Sequence, residues 1–288
     1  MEIVEAEQAA GSLLFASLLV LVVFFIALRA GYFRLPPPEE KHPVTFRQTF
    51  GVFLTYLALA FLVLPVINVA LVFFVSRRDG ISKEWLGWAQ ISSLFIVFFC
   101  LVGYCFLIRR DARSTIFWGG DKPTVMRTYK SIWMGLVSFL VSYPFVFWTG
   151  IVTSLISVWI WGEAKVEQVA VKQLKMAMGR PVMFSLMAFL VIILVPFMEE
   201  LLFRGFLQSL LKRYVGRMWS LFSTAAIFAL FHFAASQGTG NFQLIISLFV
   251  LSIFLGFVYE RERTLWAPIA LHSAFNGFSV LLIIISKG

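Results

Sequence analysis

Six polar or ionisable side chains sit inside apolar stretches of the C-terminal third of the chain. They are Glu199, Glu200 and Arg204 in Glu-Glu-Leu-Leu-Phe-Arg, His232 closing Phe-Ala-Leu-Phe-His, and His272 with Asn276 in His-Ser-Ala-Phe-Asn. On insertion scales an Asp, Lys or Arg at the centre of a membrane helix costs roughly 2.5–3.5 kcal/mol, so several such groups together point to work that needs them. Two carboxylates, two imidazoles, an amide and a guanidinium provide a base, an acid and hydrogen-bond donors, the set that chemistry at a carbonyl requires.

Spacing divides the set. Glu200 and Arg204 are i,i+4 and share a helix face, as do Phe228 with His232 and His272 with Asn276. Glu199 points about 100° away from Glu200, so Glu200 is assigned to Arg204 and Glu199 is left for chemistry. The turn Lys-Arg-Tyr-Val-Gly-Arg ending at Arg217 should join two antiparallel helices, and Glu200 and His232 are each sixteen residues from Gly216. At 1.5 Å per residue both reach about 24 Å from the turn, hence similar depth. His272 fits less well: its distance from the preceding charged loop puts it shallower, unless the loop at Pro268 dips inward.

The elements that must position these groups are membrane helices. The chain has 288 residues, 60% of them hydrophobic and 14% charged, with mean hydropathy +0.89, against about a quarter charged in soluble domains. The expected fold is all-α, a polytopic membrane bundle of about eight transmembrane helices enclosing a polar active-site cavity. At about 20 residues per span, apolar runs place the helices near 12–30, 50–76, 87–108, 131–161, 181–203, 218–235, 242–258 and 265–285. The fourth is long and contains Pro144, which predicts a tilt or kink. The region 162–180 has Val166, Leu174 and Ala177 on one helical face and Lys165, Lys172 and Lys175 opposite, an interfacial-helix pattern. A lid over an active site is the sharper alternative. The acidic N-terminus is unlike a signal peptide, so the first apolar run reads as an uncleaved span.

The net charge of +9 does not imply a nucleic-acid partner, because Lys and Arg fall in loops where lipid headgroups and orientation account for them. The loops after odd-numbered helices hold four, six, three and two Lys or Arg, fifteen in all. The even loops and termini hold eight. This bias predicts odd loops in the cytoplasm and both termini outside. Eight tryptophans near helix ends, Trp118 and Trp266 among them, read as an aromatic belt. Cys100 and Cys105 read as small core residues rather than a disulfide or metal site. His42, with no partner at helical spacing, reads as a solvated loop residue.

The three motifs in this order resemble the CAAX protease and bacteriocin-processing (CPBP) family of intramembrane proteases, in particular type 2 CAAX prenyl proteases, whose pattern is EExxxR, FxxxH and HxxxN/D on successive membrane helices. The likeness covers about residues 180–285, and divides the chain into an N-terminal part, 1–180, without a catalytic motif and a catalytic membrane core, 181–288. It implies hydrolysis of a peptide bond in a membrane-associated protein or peptide. Glu199 and His232 would activate water, His272 and Asn276 would form the oxyanion site, and Glu200 and Arg204 would support them. The implied partners are a peptide or lipidated protein substrate and the bilayer, and the implied location is a multi-pass position in a membrane, the cell membrane in a prokaryote.

Two readings from other classes compete. A proton-coupled transporter also uses Glu, His and Arg in helices, but no internal repeat supports one. A non-catalytic scaffold would have no use for the complete set. No cofactor is expected. The alternative is zinc held by Glu199, His232 and His272, a His₂Glu set; it lacks the usual HExxH helix and would pass the general-base role to Glu200.

Overall fold

The computed structural model describes residues 2–38, 43–79, 83–122, 124–162 and 169–286. His42, Lys165, Val166 and Lys287 lie outside the described residues. Among those described there is no strand. In chain order the helices are α1 (Glu2–Arg29), α2 (Phe46–Leu57), α3 (Leu64–Asp79), α4 (Lys83–Leu107), α5 (Arg110–Trp118), α6 (Val125–Trp161), α7 (Val169–Ala177), α8 (Pro181–Phe189), α9 (Val195–Glu200), α10 (Ser209–Phe231), α11 (Gly240–Glu262) and α12 (Trp266–Ile285). π-helical segments weld α2 to α3 (Ala58–Val63), α8 to α9 (Leu190–Leu194) and α9 to α10 (Leu201–Gln208).

Seven of the resulting rods are long and apolar enough to cross a membrane. The protein is an integral, multi-pass helical bundle. One rod, Pro181–Phe231, spans 51 residues, too long for a single pass of a core about 30 Å thick. It folds back at Gly216, whose φ of 76° and ψ of 174° break the helix; glycine alone adopts a positive φ without penalty. The two arms then lie side by side, with the ring of Phe203 5.0 Å from that of Phe228 and 5.6 Å from that of Phe231. This is the predicted hairpin; it divides one of the seven rods into two helical arms. The first arm runs about twelve residues beyond its expected end near 203, because Gln208, Ser209 and Lys212 find polar partners on α11 and the helix has no reason to stop.

That first arm is the axis of the bundle. Leu201, Leu202, Phe203, Arg204, Phe206 and Gln208 are each no more than 1% exposed, so every face of this segment is covered. Side chains from α2 and α4, such as Val52 and Leu101, share a core with Leu201 and Phe203, while α1 and α6 pack with Leu255 and Leu271 of α11 and α12. The long helix α6 is continuous through a buried Pro144 for 37 residues. It meets α12 at Gly135, where an added Cβ would fall on the carbonyl oxygen of Ala267 and 2.7 Å from the Cβ of Ala270.

The basic loops gather at one end. Arg217 donates to the carbonyls of Pro36 at 2.7 Å and Pro37 at 3.0 Å, Arg263 also bonds to Pro37, and Arg261 to Tyr32. Two expectations are corrected. Residues 110–118 form a short helix, α5, held because Ala112, Ile116 and Phe117 are buried against the axis. Cys100 is exposed rather than in the core, and both cysteines are free. The amphipathic helix α7 buries Leu174 and Ala177 against Ile91, Met183 and Met187. It packs on the outside of α4 and α8.

Two outcomes are expected. Replacing Gly135 by Ala forces α6 off α12 and should cost about 1–3 kcal/mol, the usual range for overpacking, read as a lowered melting temperature in detergent. In a background without Cys100 and Cys105, Arg213→Cys should label only from the cytoplasm and Thr239→Cys only from outside. Labelling of both from one side would contradict the hairpin at Gly216.

Candidate active site

The central contact is a buried ion pair. Arg204 Nη1 donates to Glu200 Oε1 at 3.1 Å with both side chains fully buried. The guanidinium also donates through Nη2 to the Ser252 hydroxyl at 2.6 Å and carbonyl at 3.2 Å, and lies over the Phe228 ring at 4.7 Å. A buried charge pair holds best when its remaining donors and acceptors are met; Ser252 and the ring face meet part of that need, while Glu200 Oε2 and Arg204 Nε have no hydrogen-bond partner among the described residues. The assignment of Glu200 to Arg204 agrees with the geometry.

His272 joins the pair from α12, its Nδ1 2.7 Å from Glu200 Oε1. Contrary to the shallower position that residue counting gave, it therefore sits at the depth of Glu200. The reason is the link before α12: Thr264 and Leu265 are fully buried, so the chain sinks into the bundle before the helix begins. Pro268 fits within the first turn of α12, where its missing N–H would have had no helical partner.

His232 ends the second arm of the hairpin as the C-cap of α10. The last turn of a helix leaves carbonyls unpaired, and His232 Nδ1 meets one of them, that of Phe228, at 2.8 Å. A carbonyl can only accept, so Nδ1 carries the proton and Nε2 of the neutral ring is an acceptor. The same logic holds for His272, whose Nδ1 faces a carboxylate.

Both Nε2 atoms turn toward Glu199. His232 Nε2 is 3.6 Å from Oε1 and His272 Nε2 3.7 Å from Oε2, distances just beyond a direct hydrogen bond. Accessibility rises outward through the cluster, from 0% for Glu200 and Arg204 to 6% for His272, 18% for Glu199 and 29% for His232. The zinc alternative would need Glu199, His232 and His272 to close on one point. Among the described residues no group of three or more His, Cys, Asp or Glu is arranged to hold a metal ion.

Asn276 lies one turn beyond His272, and its Nδ2 donates to the Val191 carbonyl at 2.8 Å. In the π segment Val195 N–H bonds to Leu190 O, five residues back. The next bond would run from residue 196 to Val191, but residue 196 is proline and has no N–H. Asn276 supplies the missing donor, leaving one amide hydrogen for other use.

Sequence reasoning missed how far the polar series extends. Glu200, Arg204, Gln208 and Lys212 repeat every four residues along one face, and Ser252, Gly256 and Glu260 do the same on α11. Gln208 Nε2 donates to Gly256 O at 3.1 Å and to Glu260 at 3.2 Å. Glu260, 2% exposed, takes Lys212 at 3.0 Å and Arg217 at 3.1 Å. The four-residue spacing on both helices was readable as a pair of facing polar stripes.

Residues 181–278 match the model of a family described as type II CAAX prenyl endopeptidase Rce1-like. This segment is thus similar to the type II CAAX prenyl endopeptidases. No curated protein and no solved structure matches the chain. The matched segment begins at α8 and ends in α12, so it contains all six residues of the three motifs and the whole of the hairpin. The family is one of membrane-embedded endopeptidases, and the carboxylate–imidazole cluster lies inside the matched span.

Arg204→Ala leaves Glu200 buried without its cation, which for a broken buried pair costs about 3–5 kcal/mol. The expected result is a lowered melting temperature and folded yield together with lost activity. An unchanged melting temperature would move Arg204 from support of the fold to chemistry.

Proposed function

We propose that the protein is a glutamate-dependent intramembrane endopeptidase in which Glu199 and His232 activate a water for attack on a peptide carbonyl. The observation that carries this reading is the pairing of Glu199 Oε1 with His232 Nε2 at 3.6 Å, both partly accessible. Each is an acceptor in the neutral-imidazole state. A water between them donates one hydrogen to each, which turns a lone pair toward a substrate carbonyl; Glu199 then takes the proton as attack proceeds. The water's oxygen forms the new bond to carbon, and the proton passes to the leaving amine as the C–N bond breaks.

The tetrahedral oxyanion needs donors. Asn276 has one amide hydrogen beyond that given to Val191. His272, held at Nδ1 by Glu200 and with Nε2 turned toward Glu199, lies one turn from Asn276 and is the second member of the oxyanion site. Substrates are membrane-associated proteins or peptides; the family description points to prenylated C-terminal tails.

The division between the carboxylates supports a metal-independent mechanism. If Glu199 were a zinc ligand, the base would have to be Glu200, which is sealed from solvent and engaged by Arg204 and His272. Cleavage of a peptide library by protein reconstituted in lipid tests the reading. Glu199→Gln and His232→Ala should each lower the rate by at least about a hundredfold, the contribution of a positioned acid–base group, with melting temperatures near that of the wild type. Full activity in either variant would remove that residue from the mechanism. Metal analysis of chelator-treated, active protein should find less than one zinc per chain. One tightly bound zinc, with activity lost on stripping and regained on addition, would overturn metal independence.

A further inference from the structure

A cleft of about 850 Å³ opens at the basic end between α4, α5 and the start of α12. Phe197 lines it, two residues before Glu199. At 100° per residue the two point about 160° apart around the helix, so the cleft lies on the far side of α9 from the catalytic carboxylate. Its wall is apolar, with Val102, Phe106, Phe117, Phe197 and Trp266, and its rim carries Arg110, Arg113 and Lys122.

The charge of the rim is uncancelled. Its two acids are occupied elsewhere, Asp111 by Arg109 at 2.9 Å and Asp121 by Arg127. Arg110 and Lys122 are exposed and have no partner among the described residues. Arg113 touches only the Cys105 carbonyl at 3.4 Å and the Phe106 ring at 5.2 Å. The indole N–H groups of Trp118 and Trp266, both in the lining, are buried with no acceptor among the described residues. Six of the eight tryptophans near helix ends face outward as a belt would, from 41% to 85% exposed; these two turn inward. The outer lip is the end of α4, where Phe106 and Leu107 are 71% and 83% exposed. Their apolar surface gives way within three residues to Arg109 and Arg110, the change from acyl chain to headgroup.

We propose that this cleft binds one phospholipid with an anionic headgroup from the leaflet at the basic end. The phosphate lies against Arg110, Arg113 and Lys122, and an acyl chain lies along Val102 and Phe106. The site is separate from the proteolytic reading and is tested by binding alone. Native mass spectrometry of the purified protein, titrated with phosphatidylglycerol or phosphatidylcholine, should retain one phosphatidylglycerol per chain in preference to phosphatidylcholine. Juxtamembrane Lys and Arg each add about a factor of five in lipid affinity, so Arg110→Gln with Arg113→Gln should weaken retention by at least tenfold. Arg34→Gln, outside the cleft, should not. If the change at Arg113 lowers folding, Arg110→Gln with Lys122→Gln carries the same test. Equal retention of the two lipids, or unchanged retention in the double variants, would overturn the proposal. Displacement of the lipid by a peptide with a free terminal carboxylate would assign the cleft to substrate instead.

Discussion

The Glu200–Arg204 pair is the constraint on which the rest of the site depends. A carboxylate and a guanidinium without solvent exposure depend on neighbours that supply matching groups, and each such neighbour comes from a different helix. Ser252 is supplied by α11, the ring of Phe228 by the second arm of the hairpin, and the imidazole of His272 by α12. Satisfying one ion pair therefore fixes three helices against the axis. Two of them, α10 and α12, are the ones that bring an imidazole to Glu199. The support for Glu199 is thus electrostatic as well as steric.

Below the pair, the same helix face continues the arrangement at four-residue intervals. Gln208 and Lys212 meet Gly256 and Glu260, and Glu260 ties in Arg217 across the Gly216 turn. Polar contacts between membrane helices specify register, because sliding one helix past the other would strand every group in turn. The exit of the hairpin is pinned to α11 by a carboxylate near the basic end, and the pinning carries back along the arm to Arg204. Gly256 belongs to this series through its lack of a side chain: a Cβ there would meet Gln208 Oε1 at 2.7 Å.

Much of this was legible in the sequence where it rests on local periodicity. The membrane class, the all-helical bundle, the fold-back at Gly216 and the separation of Glu199 from Glu200 follow from apolar run lengths and from 100° per residue. The common depth of Glu200 and His232 follows from their equal distance from the turn. What escaped was set by tertiary partners. The first hairpin arm runs to 215 because α11 offers Glu260, and the nine residues after Arg109 are helical because the axis covers Ile116 and Phe117. The partner of Asn276 is invisible without the π turn that precedes Pro196. Cys100 and the inward turn of Trp118 and Trp266 depend on which face each helix gives to its neighbours, which composition does not determine.

The depth of His272 joins the carboxylate–imidazole cluster to the basic end of the molecule. Lys212 is twelve residues past Glu200, about 18 Å along the arm, and bonds to Glu260 near the end of α11. Yet His272, only six residues into α12, lies beside Glu200, which is about 9 Å of helix. The link between α11 and α12 must therefore descend by roughly the difference, about 9 Å, and the burial of Thr264 and Leu265 is that descent. A helix that begins low leaves its first residue, Trp266, facing a recess where a longer helix would have filled space, and α5 lies across that recess with Phe117 and Trp118 against Trp266. The sinking that carries an imidazole to the ion pair is thus also what leaves Trp266 free to line the cleft beside α4.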